Sequence, residues 1–288
     1  MATITAADVK QLREKTGAGM MECKNALVSS GGDFTAAEKL LKEKGLAAIE
    51  KRSNRATNEG KIFTRIKDDG SEAVLLELAS ETDFVARNPD FTALGASLAE
   101  KILEKGYTEI NDELKAMVTE LATKIRENMS LKRIKTLRAS SHEYLTQYVH
   151  GDGNIGVVVK IGAEKEEALK NEALKAFAFN IALHIAAFNP LALSQDRIDK
   201  AWLKEQEDIF RKQMEQDESM QGKPANVTEN ILKGKVRKLL KEICLLDQGY
   251  VKDEKLSVTQ ALAEISRQAG SAVTIVDYAY YKVGSGDA

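Results

Sequence analysis

Gly151-Asp152-Gly153-Asn154-Ile155-Gly156-Val157-Val158-Val159-Lys160-Ile161 is the stretch on which the fold class turns. Its first six residues satisfy the GxGxxG pattern of dinucleotide sites, which would make the chain an α/β protein with a parallel sheet. That fingerprint needs a strand before it and a helix N-terminus after it, so that backbone amides and the helix dipole meet a pyrophosphate. Here the glycines run into Val157-Val158-Val159-Lys160-Ile161, whose β-branched residues favour a strand. The glycines therefore read as a hairpin turn, and the chain as α+β.

Working outward, strands are expected at 131–139, 144–149 and 155–161, followed by a helical pattern over 165–188. Upstream, Lys61–Ile66 and Ala73–Ala79 flank Asp68-Asp69-Gly70-Ser71, turn chemistry that joins two antiparallel strands. Ser80-Glu81-Thr82-Asp83-Phe84-Val85-Ala86-Arg87 leads from them into helices at 91–105 and 112–127, so two α+β halves share similar ingredients. Downstream, charged helical segments at 196–218 and 227–246 are separated by Gln221-Gly222-Lys223-Pro224, which holds two helix breakers and suggests a helical hairpin. A helix at 257–268 and a strand at 273–281 complete the chain.

The N-terminal region is of another kind. Residues 5–45 read as three short helices, opening on the capping-box pattern Thr5-x-x-Asp8 and closing at Gly45. Val9 and Leu12, Ala26 and Leu27, and Ala37, Leu40 and Leu41 stripe their inner faces. Residues 51–60, polar and without periodicity, read as a linker.

The composition, 43% hydrophobic and 30% charged over 288 residues, is that of an ordinary folded chain long enough for two domains. A net charge of −2 gives no basic footprint for nucleic acid, and no run approaches a membrane span. Cys23 and Cys244 offer neither a disulfide framework nor metal spacing, which fits a reducing compartment. Met1-Ala2-Thr3-Ile4 lacks a charged, apolar leader, and a cytoplasmic location is expected. No GxxxxGK[ST] loop is present, and His142, His150 and His184 lack HExxH spacing or triad partners, so no catalytic residue, cofactor site or metal site is expected.

Two local features invite a partner. Met20 and Met21 are adjacent on a helix and point about 100° apart, so both cannot enter one small core and one of them should face outward, where methionine is an adaptable contact for a partner; filling of the core by the pair is the equal alternative. Asp83-Phe84 follows a strand, where the ring is either a plug in the core or a protruding wedge. Position alone favours the plug.

Thr16-Gly17-Ala18-Gly19-Met20-Met21-Glu22-Cys23-Lys24-Asn25-Ala26-Leu27, together with Thr82-Asp83-Phe84-Val85-Ala86, resembles the two signatures of the elongation factor Ts family in string, order and separation. His150 ahead of Ile155–Val159, His184-Ile185-Ala186-Ala187, Gly222-Lys223-Pro224 and Leu245-Leu246-Asp247-Gln248 extend the resemblance through nearly the whole chain. The chain departs from the family pattern at Asn154, Gly249 and Tyr280.

The resemblance implies a three-helix module like ubiquitin-associated domains with its linker (1–54), a core N-subdomain (55–140), a core C-subdomain (141–195 and 247–288) and an inserted antiparallel helical hairpin (196–246), the last either self-associating or idle. It implies a guanine-nucleotide exchange factor, not an enzyme, that binds elongation factor Tu and promotes GDP release. The nucleotide and magnesium then belong to the partner, and this chain needs no cofactor, metal, nucleic acid or membrane. Carried onto this sequence, the wedge near the partner's magnesium site is Thr82, Asp83, Phe84 and Val85. The N-terminal contact is Arg13, Met20, Met21 and Lys24, with His150 a further contact on the core. The competing readings are a passive binding module and, through residues 151–156, a nicotinamide enzyme.

Overall fold

In the computed structural model, residues 4–220 and 223–286 are described. Gln221, Gly222 and Met1–Thr3, which carry the proposed hairpin turn and the chain start, lie outside them. The chain is mixed helix and sheet, with helices first and a sheet core after them.

Helices α1 (Ala6–Thr16), α2 (Met20–Ser29) and α3 (Phe34–Glu50) form the N-terminal module. Thr5 caps α1 through a reciprocal box with Asp8, and Gly17, at φ +68°, ends it in the left-handed conformation that glycine adopts without strain. Val9, Leu12, Cys23, Ala26, Leu27, Ala37 and Leu41 close the core between the three faces.

Gly45 does not terminate α3. The helix runs through it to Glu50, and the glycine serves packing: a Cβ there would overlap Cγ2 of Thr123. Gly45→Ala gains about 1 kcal/mol of helix propensity but pushes α3 off the helix carrying Thr123. We expect a lower melting temperature for Gly45→Ala, and recovery above wild type in Gly45→Ala with Thr123→Ala, read by thermal unfolding.

The core has two three-stranded antiparallel sheets laid face to face. One, in the order β1-β2-β3, comprises β1 (Glu59–Ile66), β2 (Glu72–Ser80) and β3 (Met129–Arg138). Two helices cover its outer face, α5 (Pro89–Lys105) and α6 (Asp112–Ile125), and the turn α4 (Asp83–Ala86) sits at its end. The other, in the order β4-β5-β8, comprises β4 (Glu143–His150), β5 (Ile155–Ala163) and β8 (Val273–Lys282), with α7 (Glu172–Phe188) and α10 (Val258–Ala269) outside. Between β5 and α7 a short 3-10 turn occupies Glu166–Lys170, so the helix expected from 165 starts only where Asn171 caps it.

The Val157-Val158-Val159 run fits a central strand buried on both faces. Val157 and Val159 enter the core beneath α7 and α10, while Val158 points the other way, between the sheets. There it meets Ile62, Ala73, Leu75 and Leu137 of the first sheet, along with Leu145 and Ala279 of its own. Each such large aliphatic contributes about 1.5–3 kcal/mol on burial.

The glycines before the run serve this packing. Gly151 and Gly153 take positive φ in the β4–β5 turn, and the carbonyl of Gly153 accepts from the Ile62 N–H at 2.7 Å, linking the sheets at their edge. Gly156 lets the sheets close: a Cβ on it would overlap Cγ2 of Ile62 and stand 2.8 Å from Cδ1 of Leu75. The C-terminal tail ties the same sheets together. Arg133 on β3 donates from Nε to Glu77 at 2.8 Å and from Nη2 to the carbonyl of Lys282 at 3.0 Å, beneath the ring of Tyr281, while Glu77 accepts from the Gly284 N–H.

Helices α8 (Lys200–Gln216) and α9 (Ala225–Ile243) form the hairpin, with Met214 and Leu232 buried and Arg211 paired with Glu229. Its base is tied to α7 through buried His184, whose Nε2 lies 2.9 Å from Oε1 of Gln248, while Nε2 of Gln248 donates to the Glu242 carbonyl at 2.6 Å. Burial pushes the His184 pKa down, with the Gln248 contact opposing it. A small ribbon, β6 (Gly249–Tyr250) with β7 (Asp253–Ser257), follows the hairpin; it lies beyond the strands read from the sequence.

Candidate functional site

β2 ends at Ser80, whose hydroxyl donates to the Thr82 carbonyl at 2.9 Å and turns the chain sharply. Thr82 then caps the four-residue turn α4, its Oγ1 accepting from the Val85 N–H at 3.4 Å. Val85 and Ala86 are buried in the helix–sheet core, and Phe84 points out with 80% of its surface exposed. The plug favoured by position is corrected here: the pocket beneath the turn is already filled by Val85, Ala86 and Phe91. Asp83 is half-buried and pairs with Arg87 at 3.2 Å.

On α2, Cys23, Ala26 and Leu27 face the module core, which turns Met20 and Met21 outward at 45% and 64% exposure. Lys24 lies between them and Val28 on the solvent side, and Arg13 on α1 is exposed as well. Val28 is 59% exposed and sits two turns along from Met21 on the same face; the sequence reading did not include it, although its spacing of seven from Met21 marks it.

His150 lies at the end of β4, exposed, with Nδ1 2.9 Å from the Tyr148 hydroxyl. Tyr148 meets the ring of Phe179 edge-on at 5.8 Å, and Phe179 is 43% exposed, so His150 borders an aromatic patch on the C-terminal sheet and α7. His142 is exposed and His184 buried; neither joins a cluster with the other candidates.

The α2 face and the Phe84 turn are both held against the end of α6. Lys124 packs closely on Gly17, and Arg126 pairs with Glu22, whose carboxylate also accepts from the Gly19 N–H at 3.0 Å. The Arg126 guanidinium, then the Gly19 amide, hold the Glu22 carboxyl below its usual range. Asn128 donates its N–H to Glu81 at 2.6 Å, and Arg55 adds an ion pair at 3.1 Å. That amide first, and then Arg55, lower the Glu81 pKa. Both carboxylates keep these partners at neutral pH and lose them only as acid takes the pH through their lowered values.

The linker is part of this arrangement. Arg52 donates to the Arg126 carbonyl at 2.8 Å, and Asn128 donates to the carbonyls of Ser53 and Arg55. Among the described residues no group of three or more His, Cys, Asp or Glu side chains is gathered as for a metal ion, and no helix is long and apolar enough to cross a membrane.

The family model described as Elongation factor TS matches residues 81–285, from the Phe84 turn to the C-terminal tail. An elongation factor Ts of Treponema denticola is 46% identical over 283 residues, covering 98% of this chain and 99% of the relative. One of Borrelia recurrentis is 41% identical over 283 residues, with 98% and 100% covered. One of Borreliella burgdorferi is 39% identical over 285 residues, with 99% and 100% covered. Matches of this identity and extent establish that the chain belongs to the elongation factor Ts family.

Proposed function

We propose that this chain is a guanine-nucleotide exchange factor, acting in the cytoplasm during translation elongation, that binds elongation factor Tu with GDP bound and promotes GDP release. The observation that carries the reading is Phe84: a phenyl ring left 80% exposed on a capped turn whose other apolar residues are buried. Leaving such a ring in water forgoes about 2 kcal/mol, which contact with a partner recovers.

GDP on a GTPase is held largely by its phosphates, through a P-loop and a magnesium ion. On this reading Phe84 and Asp83 enter beside that metal and loosen the grip, while Arg13, Met20, Met21 and Lys24 dock on a helix of the partner and His150 adds a contact from the core. Of the four wedge residues, Val85 and Thr82 serve from within: one is buried, and the other spends its hydroxyl on the turn. Residues 1–54 act as a docking module, and the hairpin at 196–246 either mediates self-association or is accessory. No covalent step is involved. Because coupling is reciprocal, whatever the chain does to nucleotide affinity the nucleotide does to the chain, so GTP binding expels it.

The test is GDP release from purified elongation factor Tu, followed by a fluorescent GDP analogue. Saturating chain should weaken GDP binding by roughly 5- to 150-fold, the range of typical coupling energies, and GDP should weaken binding of the chain by the same factor. A passive binding module would dock and leave GDP affinity and release unchanged.

A further inference from the structure

We propose that Arg126-Glu127-Asn128 is a brace that fixes the α2 face and the Phe84 turn relative to each other, with Glu127 the positioning residue for Phe84; this rests on the exchange reading above. Helix α6 stops at Ile125 because Arg126 takes a left-handed backbone, φ +69°, its N–H closing on the Ala122 carbonyl at 2.8 Å. Side chains that adopt this conformation do so at a cost unless the surroundings hold it. Here the surroundings do, because the reversal aims three successive residues at three different elements. Arg126 reaches the first turn of α2 at Glu22, beside Met20 and Met21. Asn128 reaches Glu81 and the linker carbonyls.

Glu127, between them, is half-buried, and both of its carboxylate oxygens accept from the Thr82 hydroxyl, at 3.1 and 3.0 Å. A hydroxyl has one proton to give. By taking it, Glu127 turns the Thr82 lone pairs toward the Val85 N–H and so fixes the cap of α4. A four-residue turn is too short to hold its own shape, and the exposed ring of Phe84 has no packing to orient it. The direction of the ring is therefore set from below, through Glu127 and Thr82. The segment stands outside both signature strings, and its signal in the sequence is slight: a polar triplet between a helix and a strand.

The bland alternative is a hydrogen bond that only stabilises the fold. The experiment compares full-length wild type, Glu127→Ala and Glu127→Gln for melting temperature, half-saturating concentration and maximal GDP release from elongation factor Tu, in the wild-type and Phe84→Ala backgrounds. Glu127→Ala should lower the maximal rate about tenfold, the lower end of what a charge-assisted hydrogen bond supplies, with little change in the half-saturating concentration. Glu127→Gln, which still accepts from Thr82, should retain most of the rate. In the Phe84→Ala background Glu127→Ala should cost nothing further.

An equal loss in that background, or a loss that follows melting temperature alone, overturns the brace while leaving exchange intact. A wild-type chain that releases no GDP overturns both readings in the control arm. Should Glu127→Ala fail to fold, Thr82→Val cuts the same bond from the other side, and a Thr82→Val protein with the wild-type maximal rate overturns the proposal.

Discussion

Phe84→Ala is expected to melt within about 2 °C of wild type while its stimulation of GDP release falls about thirtyfold. The first half follows from exposure. A buried phenylalanine cut to alanine costs ~3–5 kcal/mol, which in a chain of this size would lower the melting temperature by roughly 6–20 °C. A ring already 80% in water loses almost none of that. The second half follows from what the ring gains at a partner. Burying it recovers ~2 kcal/mol, and ~1.4 kcal/mol is tenfold in rate.

If that burial is realised mainly when nucleotide leaves, docking weakens moderately and exchange weakens more, because only interactions stronger in the rate-limiting state accelerate it. Melting curves and GDP release measured on the same preparation check both halves. A stable Phe84→Ala protein with wild-type release would remove the ring from the mechanism, and Asp83→Ala beside it shows whether the carboxylate acts independently.

A large effect on stability is expected at Gly156. Gly156→Ala places a methyl group against Cγ2 of Ile62 and 2.8 Å from Cδ1 of Leu75, in the layer where the two sheets meet. Ile62 is β-branched and itself packed, so it cannot rotate away at small cost. The sheets must part locally, and overpacking of this kind costs about 1–3 kcal/mol or somewhat more. A fall in melting temperature of roughly 2–12 °C is expected; because Ile62→Ala removes the opposing Cγ2, Gly156→Ala with Ile62→Ala should lose less than the sum of the two single variants. A Gly156→Ala protein as stable as wild type would mean that the sheets leave room for a methyl group between Gly156 and Ile62.

What the sequence disclosed, it disclosed through local chemistry. The Asp69-Gly70 turn fixed the β1–β2 hairpin, and the Val157–Val159 run overruled the glycine pattern before it, because turn type and β-branching act over a few residues. The three-helix module was legible for the same reason. Gly45 was misread because a glycine at the end of a helix and one admitting a neighbouring helix look alike until Thr123, far along the chain, is placed beside it. β6 escaped because two residues carry no periodicity. The outward direction of Phe84 depends on Phe91, Val85 and Ala86 having already filled the space below it, which is a tertiary fact. The family strings supplied that direction where position argued against it. Glu127 lay outside those strings, and its contact with Thr82 spans a helix pair, so nothing local marked it.

The pairing of β5 with β8 also bears on how this protein is made. Ala163 pairs with Val273, and the whole hairpin and α10 are synthesised between the two strands. The first sheet is complete once β3 has emerged, but the face formed by Ile62, Leu75 and Leu137 stays partly uncovered until Ala279 arrives. At roughly 5–20 residues per second that interval is on the order of 10 s, during which the nascent chain carries an exposed apolar face and an unpaired strand edge. A message cut short before Val273 therefore yields an aggregation-prone product that quality control must remove, rather than a shorter working factor.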